Sequence, residues 1–148
     1  MIIREIREDE IEQLTELYFH YTKKENLPEI PKEKIKSIWN EIQKNPCVHY
    51  FVIESENQIA ASCILSTTPS FIRGGSAYGV IEHVVTDSRF RKRGFAKELL
   101  TYSLEYAWNQ GCTEVMLLSG FDDTGAHRIY EKLGFDRHER IGFIKFKP

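Results

Sequence analysis

The chain has 148 residues, of which 41% are hydrophobic and 28% charged, and its formal net charge is -2. These values are typical of one globular domain over residues 1–148 and exclude a strongly basic protein, so we expect no nucleic-acid partner. No apolar run approaches the roughly 20 residues of a membrane-spanning helix, and the charged N-terminus is unlike a signal peptide. We therefore expect a cytoplasmic protein without a membrane partner. The isolated cysteines Cys47, Cys63 and Cys112 argue against a disulfide framework and against a metal site.

The first half of the chain predicts a strand, two helices and a hairpin. Residues 2–7 alternate apolar and charged side chains, as a half-buried strand does. Asp9 and Glu12 are typical of an N-cap with a capping box, and apolar residues at helical spacing follow. A second helix is expected to begin near Pro31, because proline suits a first helical turn. Two β-rich runs, 49–54 and 59–66, are joined by a short polar link and predict a hairpin.

The second half predicts a loop at 67–75 and then a strand at 78–86, which is apolar on both faces apart from Glu82 and His83. Such a strand belongs in the middle of a sheet. A long helix from residue 95, a buried strand at 114–119 and a helix at 126–133 follow. The tail, 135–147, alternates enough to predict one or two closing strands. The resulting order, β-α-α-β-β-β-α-β-α-β, predicts an α/β fold with a mixed sheet flanked by helices.

The turn between the predicted central strand and the long helix is dense in cations. These cations are Arg91, Lys92, Arg93 and Lys97. A helix N-terminus already carries unpaired N–H groups and partial positive charge, so cations gathered there are unfavourable without an anion. Gly94 and Ala96 also remove side-chain bulk where an anion would approach the backbone. The pattern therefore predicts a phosphate or pyrophosphate site, although neither a Walker A loop nor a Rossmann fingerprint is present.

Three segments resemble elements of the GNAT acetyltransferase superfamily. The segment Arg91-x-x-Gly94-x-Ala96 resembles the family's R/Q-x-x-G-x-G/A element, and Ile-Tyr-Glu-Lys-Leu-Gly-Phe at 129–135 resembles its FYEKxGF signature. The strand 79–85 resembles the central strand of the amine-acetylating branches. The likeness, which is to small-molecule amine acetyltransferases, implies a mixed sheet flanked by four helices, with acetyl-CoA as the cofactor. It also implies acetyl transfer to the primary amine of a small molecule.

The resemblance also implies which residues hold the coenzyme. They are Val84, Val85, Thr86, Arg91, Lys92, Arg93, Gly94, Phe95, Ala96, Lys97, Asp123, Ala126 and Tyr130. Two central strands are expected to separate at Val84, so that an amide N–H of Val84 or Val85 faces the thioester oxygen. Asp123 stands where the family often has Asn, and an ionised carboxylate can only accept hydrogen bonds.

For catalysis, the resemblance makes Tyr130 the general acid, although its helical spacing also fits a core residue. Glu82 is the predicted general base, directly or through a water, because a carboxylate in an apolar strand is costly unless it is functional. Its expected burial would raise its pKa. His83 is the second candidate and is expected on the opposite face of the sheet. Residues 71–75 are expected to line the acceptor pocket, where Arg73 is either a carboxylate ligand or solvated.

Other functions remain open from the sequence. A non-catalytic acyl-CoA-binding module would need the same anion site, and a nucleotide- or phosphate-binding protein would need no acyl chemistry. The acceptor of an enzyme could be a small amine, an amino sugar, an amino acid or a protein. The sequence likewise leaves both a monomer and a homodimer open.

Overall fold

The computed structural model describes residues 1–22 and 25–148. Those residues form five strands and four α-helices. In chain order they are β1 Ile2–Glu5, α1 Ile11–Thr22, α2 Lys32–Lys44, β2 Val48–Ser55, β3 Gln58–Thr68, β4 Ala77–Thr86, α3 Phe95–Asn109, β5 Cys112–Leu117 and α4 Thr124–Lys132. No helix in this part of the chain is both long enough and apolar enough to cross a membrane.

The strands form one mixed sheet in the order β1-β2-β3-β4-β5. The first three pairings are antiparallel, whereas β4 and β5 are parallel. Parallel neighbours need a crossover connection, and α3 supplies it. The α/β fold and the predicted 49–54/59–66 hairpin are therefore confirmed. The central position of β4, between β3 and β5, agrees with its apolar composition on both faces.

Helices cover the two faces of the sheet with separate cores. On one face α3 buries Leu99 and Leu100, which have no exposed surface. Their partners in the sheet are Phe51, Ile53, Cys63, Leu65 and Ile81. On the other face, called the α1 face below, Leu14 and Leu17 pack against a second apolar cluster. That cluster contains Val52, Ile59 and Val85. β4 is therefore held between two helical layers, which fixes the strand that leads into the predicted anion turn.

The start of α1 differs from the prediction. A short 3-10 turn, Glu8–Glu10, precedes the helix, which begins at Ile11. The capping contact is made by Glu10, whose carboxylate accepts a hydrogen bond from the Arg7 N–H at 3.0 Å. Asp9 as N-cap with Glu12 as its partner is therefore wrong. The Glu10 side chain also forms an ion pair with Arg4. This ion pair holds the Glu10 carboxylate in place, which favours Glu10 over its neighbours for the capping contact.

The predicted closing strands at 135–147 are wrong. Residues 135–148 follow α4 without joining any strand of the sheet. Arg140 reaches Glu114 of β5 at 3.1 Å, and Gly142 lies so close to Leu118 that an added Cβ would come within 2.6 Å of its side chain. The tail thus runs beside β5, but a strand also requires a ladder of backbone hydrogen bonds, which is missing here.

Candidate active site

A cleft opens between β4 and β5. Their parallel ladder runs from Ala77 paired with Cys112 to Ile81 paired with Leu117, and it stops there. β4 continues to Thr86, so its last five residues have no partner on the β5 side. The strands were predicted to separate at Val84, and the ladder ends three residues earlier. The exposed backbone of this stretch can pair with an extended ligand.

A β-bulge lies at the mouth of this cleft. Ile64 pairs with Glu82 and Ser62 pairs with Val85, so His83 and Val84 together face the single residue Cys63. His83 has a φ of +50°, in the left-handed region. The extra residue of a bulge is left out of the ladder and turns the strand locally. β4 therefore has an irregular pairing with β3 at His83 and Val84 and no ladder partner on the β5 side from Glu82 onward.

The turn after β4 leads directly into α3. Asp87 accepts a hydrogen bond from the Arg89 N–H at 2.9 Å and starts a short 3-10 turn. Gly94, with a φ of +83°, occupies the N-cap position of α3. An added Cβ at Gly94 would meet no atom within 4 Å, so glycine is favoured here by backbone conformation and not by crowding. The first N–H groups of α3, beginning at Phe95, point out of this turn without intrahelical partners.

The four cations of the turn have different surroundings. Arg93 is engaged: it pairs with Glu56 at 2.8 Å and stacks on the rings of Phe90 and Phe95, at 5.1 and 5.2 Å. The other three are exposed, and within the described chain no carboxylate lies at ion-pair distance from them. They are Arg91, Lys92 and Lys97. Three unpaired cations beside a helix N-terminus form an arrangement that can bind a phosphate or pyrophosphate.

Tyr130 lies half-buried on α4 and packs against the core on the α3 side of the sheet. Burial raises the pKa of its phenol, and the negative charge of Asp123 raises it further, while a hydrogen bond with Ser119 opposes them. Its ring also meets Phe135 edge-on at 6.1 Å. A phenol with a raised pKa stays protonated at neutral pH and can donate a proton. Tyr130 therefore has the protonation state of an acid, although part of its ring packs as a core residue does.

Asp123 acts as the N-cap of α4. Its carboxylate accepts a hydrogen bond from the Ala126 N–H at 3.1 Å. This contact needs only an acceptor, which both Asp and Asn provide. The Asp123 side chain is thus placed by the helix end, and Ala126 is its direct partner.

Glu82 is exposed, so its predicted burial is wrong. Tyr50, Ile64 and Glu82 lie in register across β2, β3 and β4 and therefore share one face of the sheet. Tyr50 packs against the core under α1, which identifies this as the α1 face. The burial of Tyr50 and the nearby negative charge of Glu82 together raise the pKa of the Tyr50 phenol.

His83 lies on the same side as Glu82, contrary to the strict alternation of a regular strand. Its ring centroid is 6.3 Å from that of Tyr18 on α1. The bulge removes the alternation at this position, and its effect could not be read from the residue order. The Tyr18 hydroxyl lies 2.9 Å from that of Ser62. Tyr50 was not among the predicted site residues, and pairing the predicted hairpin with β4 would have placed it in the same row as Glu82, with Ile64 between them.

Residues 71–75 lie at the opposite end of β4 from α3, about 30 Å away for a ten-residue strand. Arg73 forms an ion pair with Glu114, which Arg140 also contacts. Arg73 is therefore neither merely solvated nor free for a ligand. A cavity of about 370 Å³ adjoins this ion pair. A larger cavity, of about 570 Å³, lies between β1, α2 and β2 and contains none of the predicted site residues.

Comparisons with known proteins identify the family. The chain is 39% identical to a glucosamine 6-phosphate N-acetyltransferase of Trypanosoma brucei brucei over 90 residues, which cover 61% of this chain and 59% of that protein. The match thus spans less than two thirds of the relative. A putative acetyltransferase structure from Agrobacterium tumefaciens superposes with a TM-score of 0.92 at 26% identity, covering 99% of this chain and 100% of that one.

A second solved structure, an acetyltransferase of Trypanosoma brucei, has a TM-score of 0.82 at 29% identity and covers 98% of this chain and 99% of its own. Residues 4–135 match the family described as the acetyltransferase (GNAT) family, which is most of the chain. The matched region includes β4, the cation-rich turn between β4 and α3, and Tyr130. The chain belongs to the GNAT acetyltransferase family.

Proposed function

We propose that this protein is an acetyl-CoA-dependent N-acetyltransferase, in which residues 1–148 act as one catalytic domain. The observation that carries the proposal is the continuity between the unpaired end of β4 and the N-terminus of α3. An extended arm can pair with the backbone of 82–86, and a pyrophosphate can meet the α3 amides at the end of the same groove. Coenzyme A has this combination of an extended amide-bearing arm and a pyrophosphate.

The residues of the groove divide into three sets with different tasks. The backbone of Val84, Val85 and Thr86 would pair with the pantetheine arm. The pyrophosphate would be held by the α3 amides and by the unpaired cations of the turn. The residues of this second set are Arg91, Lys92, Gly94, Phe95, Ala96 and Lys97. Asp123 and Ala126 would fix the N-terminus of α4 beside the arm. Arg93, being paired with Glu56, is expected to shape the turn rather than to touch phosphate.

The protein's own groups would then handle the proton transfers of an aminolysis. When bound, acetyl-CoA supplies a thioester carbonyl, at which a C–N bond forms as the C–S bond breaks. An amide N–H at Val84 would donate to the carbonyl oxygen and stabilise its negative charge. Glu82 would take the proton that the acceptor amine loses, directly or through a water, and Tyr130 would protonate the departing sulfur. The charge on Glu82 also favours an ammonium-bearing acceptor at this end of the sheet.

The acceptor is proposed to be the primary amine of a small molecule. The first compound to test is glucosamine 6-phosphate, because the relative from Trypanosoma brucei brucei carries that name. Peptide N-termini are the second class, since a 33%-identical relative is an N-alpha-acetyltransferase of Schizosaccharomyces pombe, matched over 47% of this chain and 46% of that protein. Amine screening with a thiol-detecting reagent compares the two classes directly, because both release free coenzyme.

The first experiment is thermal unfolding with and without acetyl-CoA, with ATP as the control nucleotide. A ligand present at about 100 times its dissociation constant stabilises a protein by about 2.7 kcal/mol. We expect acetyl-CoA to raise the melting temperature and ATP at equal concentration to have little effect. An absence of stabilisation at millimolar acetyl-CoA contradicts the proposal, and equal stabilisation by ATP indicates a general nucleotide site.

The alternative, a non-catalytic acyl-CoA-binding module, predicts the same stabilisation but no turnover. Tyr130→Phe separates the two possibilities because it removes only the phenol hydroxyl. For an enzyme, kcat falls by about 10²- to 10⁴-fold, the usual contribution of a general acid, while coenzyme affinity stays nearly unchanged. Phe135→Leu, which alters the ring packed against Tyr130 but leaves its hydroxyl, is the matched control. A module without activity shows no thiol release in any of these proteins.

A further inference from the structure

The cavity of about 570 Å³ between β1, α2 and β2 has the size and the lining of a small-molecule site. Pockets of roughly 300–1,000 Å³ with apolar and aromatic walls and a few polar groups commonly bind small ligands. Trp39 and Ile42 of α2 line this cavity together with Val48 and Tyr50 of β2. In the sheet, β3 and β4 lie between this cavity and the cleft beside β5, so the cavity is separate from the proposed coenzyme groove.

Two side chains that line the cavity contain buried ring nitrogens without a hydrogen-bond partner in the described part of the chain. These atoms are Nε1 of Trp39 and Nε2 of His49. His49 is only 8% exposed, and its other ring nitrogen, Nδ1, lies 2.6 Å from the Glu5 carboxylate. An ionised carboxylate can only accept, so Nδ1 donates in this bond. Buried polar atoms without partners cost free energy, so the stability of the fold alone does not explain this wall.

The charged groups around the cavity have an excess of negative charge. The charged residues of the lining are Glu5, Arg7 and Glu8. Arg7 is already paired with Glu10, at 2.7 Å. Glu8 is exposed, and neither Glu8 nor Glu5 has an arginine or lysine at ion-pair distance within residues 1–22 and 25–148. The cavity therefore combines unpaired carboxylates with the rings of Trp39 and Tyr50, and this combination attracts an organic cation.

We propose that this cavity binds a free organic ammonium ion, which is recognised by the carboxylates of Glu5 and Glu8 and by the two aromatic rings. The face of a tryptophan or tyrosine ring attracts a cation, and a trimethylammonium group suits such a ring because it has no N–H group to satisfy. The carboxylates add Coulomb attraction. An ammonium that also carries a phosphate, as a lipid headgroup does, is disfavoured because like charges would meet at Glu5 and Glu8.

The indole N–H resonances of the two tryptophans test this binding by NMR, in the absence of any coenzyme. Choline is the probe, because its quaternary nitrogen cannot be acetylated, and 3,3-dimethylbutan-1-ol is its neutral carbon isostere. We expect millimolar choline to shift the Trp39 resonance saturably and the isostere to bind about tenfold more weakly or less. Trp108, on α3 and outside the cavity lining, is the internal control. No shift at Trp39, an equal response to the isostere or an equal shift at Trp108 overturns the proposal.

Substitution of Glu8 tests the role of charge without disturbing the core, because this side chain is exposed. We expect Glu8→Gln to weaken choline binding about fivefold. Glu33→Gln removes the same charge at the other end of α2, outside the cavity lining, and should leave the affinity unchanged.

Phosphocholine distinguishes a free cation from a lipid headgroup, and we expect it to bind more weakly than choline. Tighter binding of phosphocholine, or unchanged choline affinity in Glu8→Gln, rejects the proposal. Because these measurements use neither coenzyme nor acceptor, their failure is distinct from a failure of the enzymatic proposal.

Discussion

The carboxylate of Asp123, which caps α4, adds its negative charge to the burial that raises the pKa of Tyr130 on the same helix. Asp123 therefore has two separable effects, one on the helix end through the Ala126 N–H and one on the phenol through charge. Capping the helix requires only a side chain that accepts a hydrogen bond. Raising the pKa of Tyr130 requires a negatively charged side chain.

Two substitutions at Asp123 separate these effects. Asp123→Asn keeps the cap and removes the charge, so we expect nearly unchanged stability and a lower pKa for Tyr130. Asp123→Ala also removes the cap and should cost about 0.5–2 kcal/mol in the free energy of unfolding. Urea unfolding measures the stability, and ultraviolet titration of the phenol against a Tyr130→Phe reference measures the pKa. If Asn destabilises as much as Ala does, the cap is not the stabilising contact.

Arg91 and Arg93 are expected to differ although they are two residues apart. Arg93→Gln removes the pair with Glu56 and the stacking on Phe90 and Phe95, contacts that contribute about 1 kcal/mol at an exposed site. We expect it to lower stability and to change coenzyme affinity little. Arg91→Gln should leave stability unchanged and weaken coenzyme binding about 10- to 150-fold, since a hydrogen bond to a charged group contributes about 1.5–3 kcal/mol. Calorimetric titration and urea unfolding of both variants check this, and the reverse pattern would assign the phosphate contact to Arg93.

Gly94 should be sensitive to substitution for a conformational reason. Its φ of +83° lies where a Cβ costs roughly 1–2 kcal/mol, yet no atom lies close enough to clash with that Cβ. We expect Gly94→Ala to lower the free energy of unfolding by about that amount and to weaken coenzyme binding by shifting the α3 amides. Gly120→Ala is the matched control, because it also has open space and lacks a positive φ. Equal effects of the two substitutions would show that backbone conformation is not the cause.

The residue order predicts the parts of the site that depend on local chemistry. The apolar run of β4, the cations of the turn and Gly94 at a helix start are neighbours in sequence, and their arrangement follows from strand and helix geometry. The bulge at His83 was not predictable, because it arises from register with Cys63 on β3. The engagement of Arg93 depends on Glu56, 37 positions away in sequence. The exposure of Glu82 depends on how the rest of the chain packs around the sheet, which periodicity does not specify.

The C-terminal tail shows the same limit of prediction from the residue order. Alternation at 135–147 predicted strands that the structure does not form, because a strand exists only where a second backbone is available. Whether a neighbouring strand is present depends on the tertiary or quaternary structure. The residue pattern of the tail therefore could not show whether the chain provides a strand for it to pair with.

Glu82 and His83 lie on the same side of the sheet, and both are candidates for the general base. Substituting each residue in turn distinguishes between them. We expect Glu82→Gln to lower kcat about 10²- to 10⁴-fold, with melting temperature almost unchanged because the side chain is exposed. His83→Gln keeps a polar side chain at the bulge and should retain most of the activity. The pH dependence of kcat for both variants is the measurement. Loss of the acidic limb in the His83 variant instead would make histidine the base.

Glu10 should make stability depend on acid pH. Its hydrogen bond and ion pair with Arg4 lower the pKa of the carboxyl below its usual value of 4.5, and contacts with Arg7 lower it further. Because the pKa is depressed in the folded state, this stabilisation is present above pH 4.5 and is lost as the pH falls through the lower, folded-state value. Glu10→Gln should therefore be less stable than the unmodified protein at neutral pH and should converge with it in acid.

Urea unfolding between neutral pH and pH 2 measures this convergence. Glu41→Gln serves as the control, because Glu41 is exposed on α2 and makes no ion pair among the described residues. Its stability should run parallel to that of the unmodified protein at every pH. A constant difference between Glu10→Gln and the unmodified protein across the range would mean that Glu10 stabilises the start of α1 through hydrogen-bond geometry alone and not through its charge.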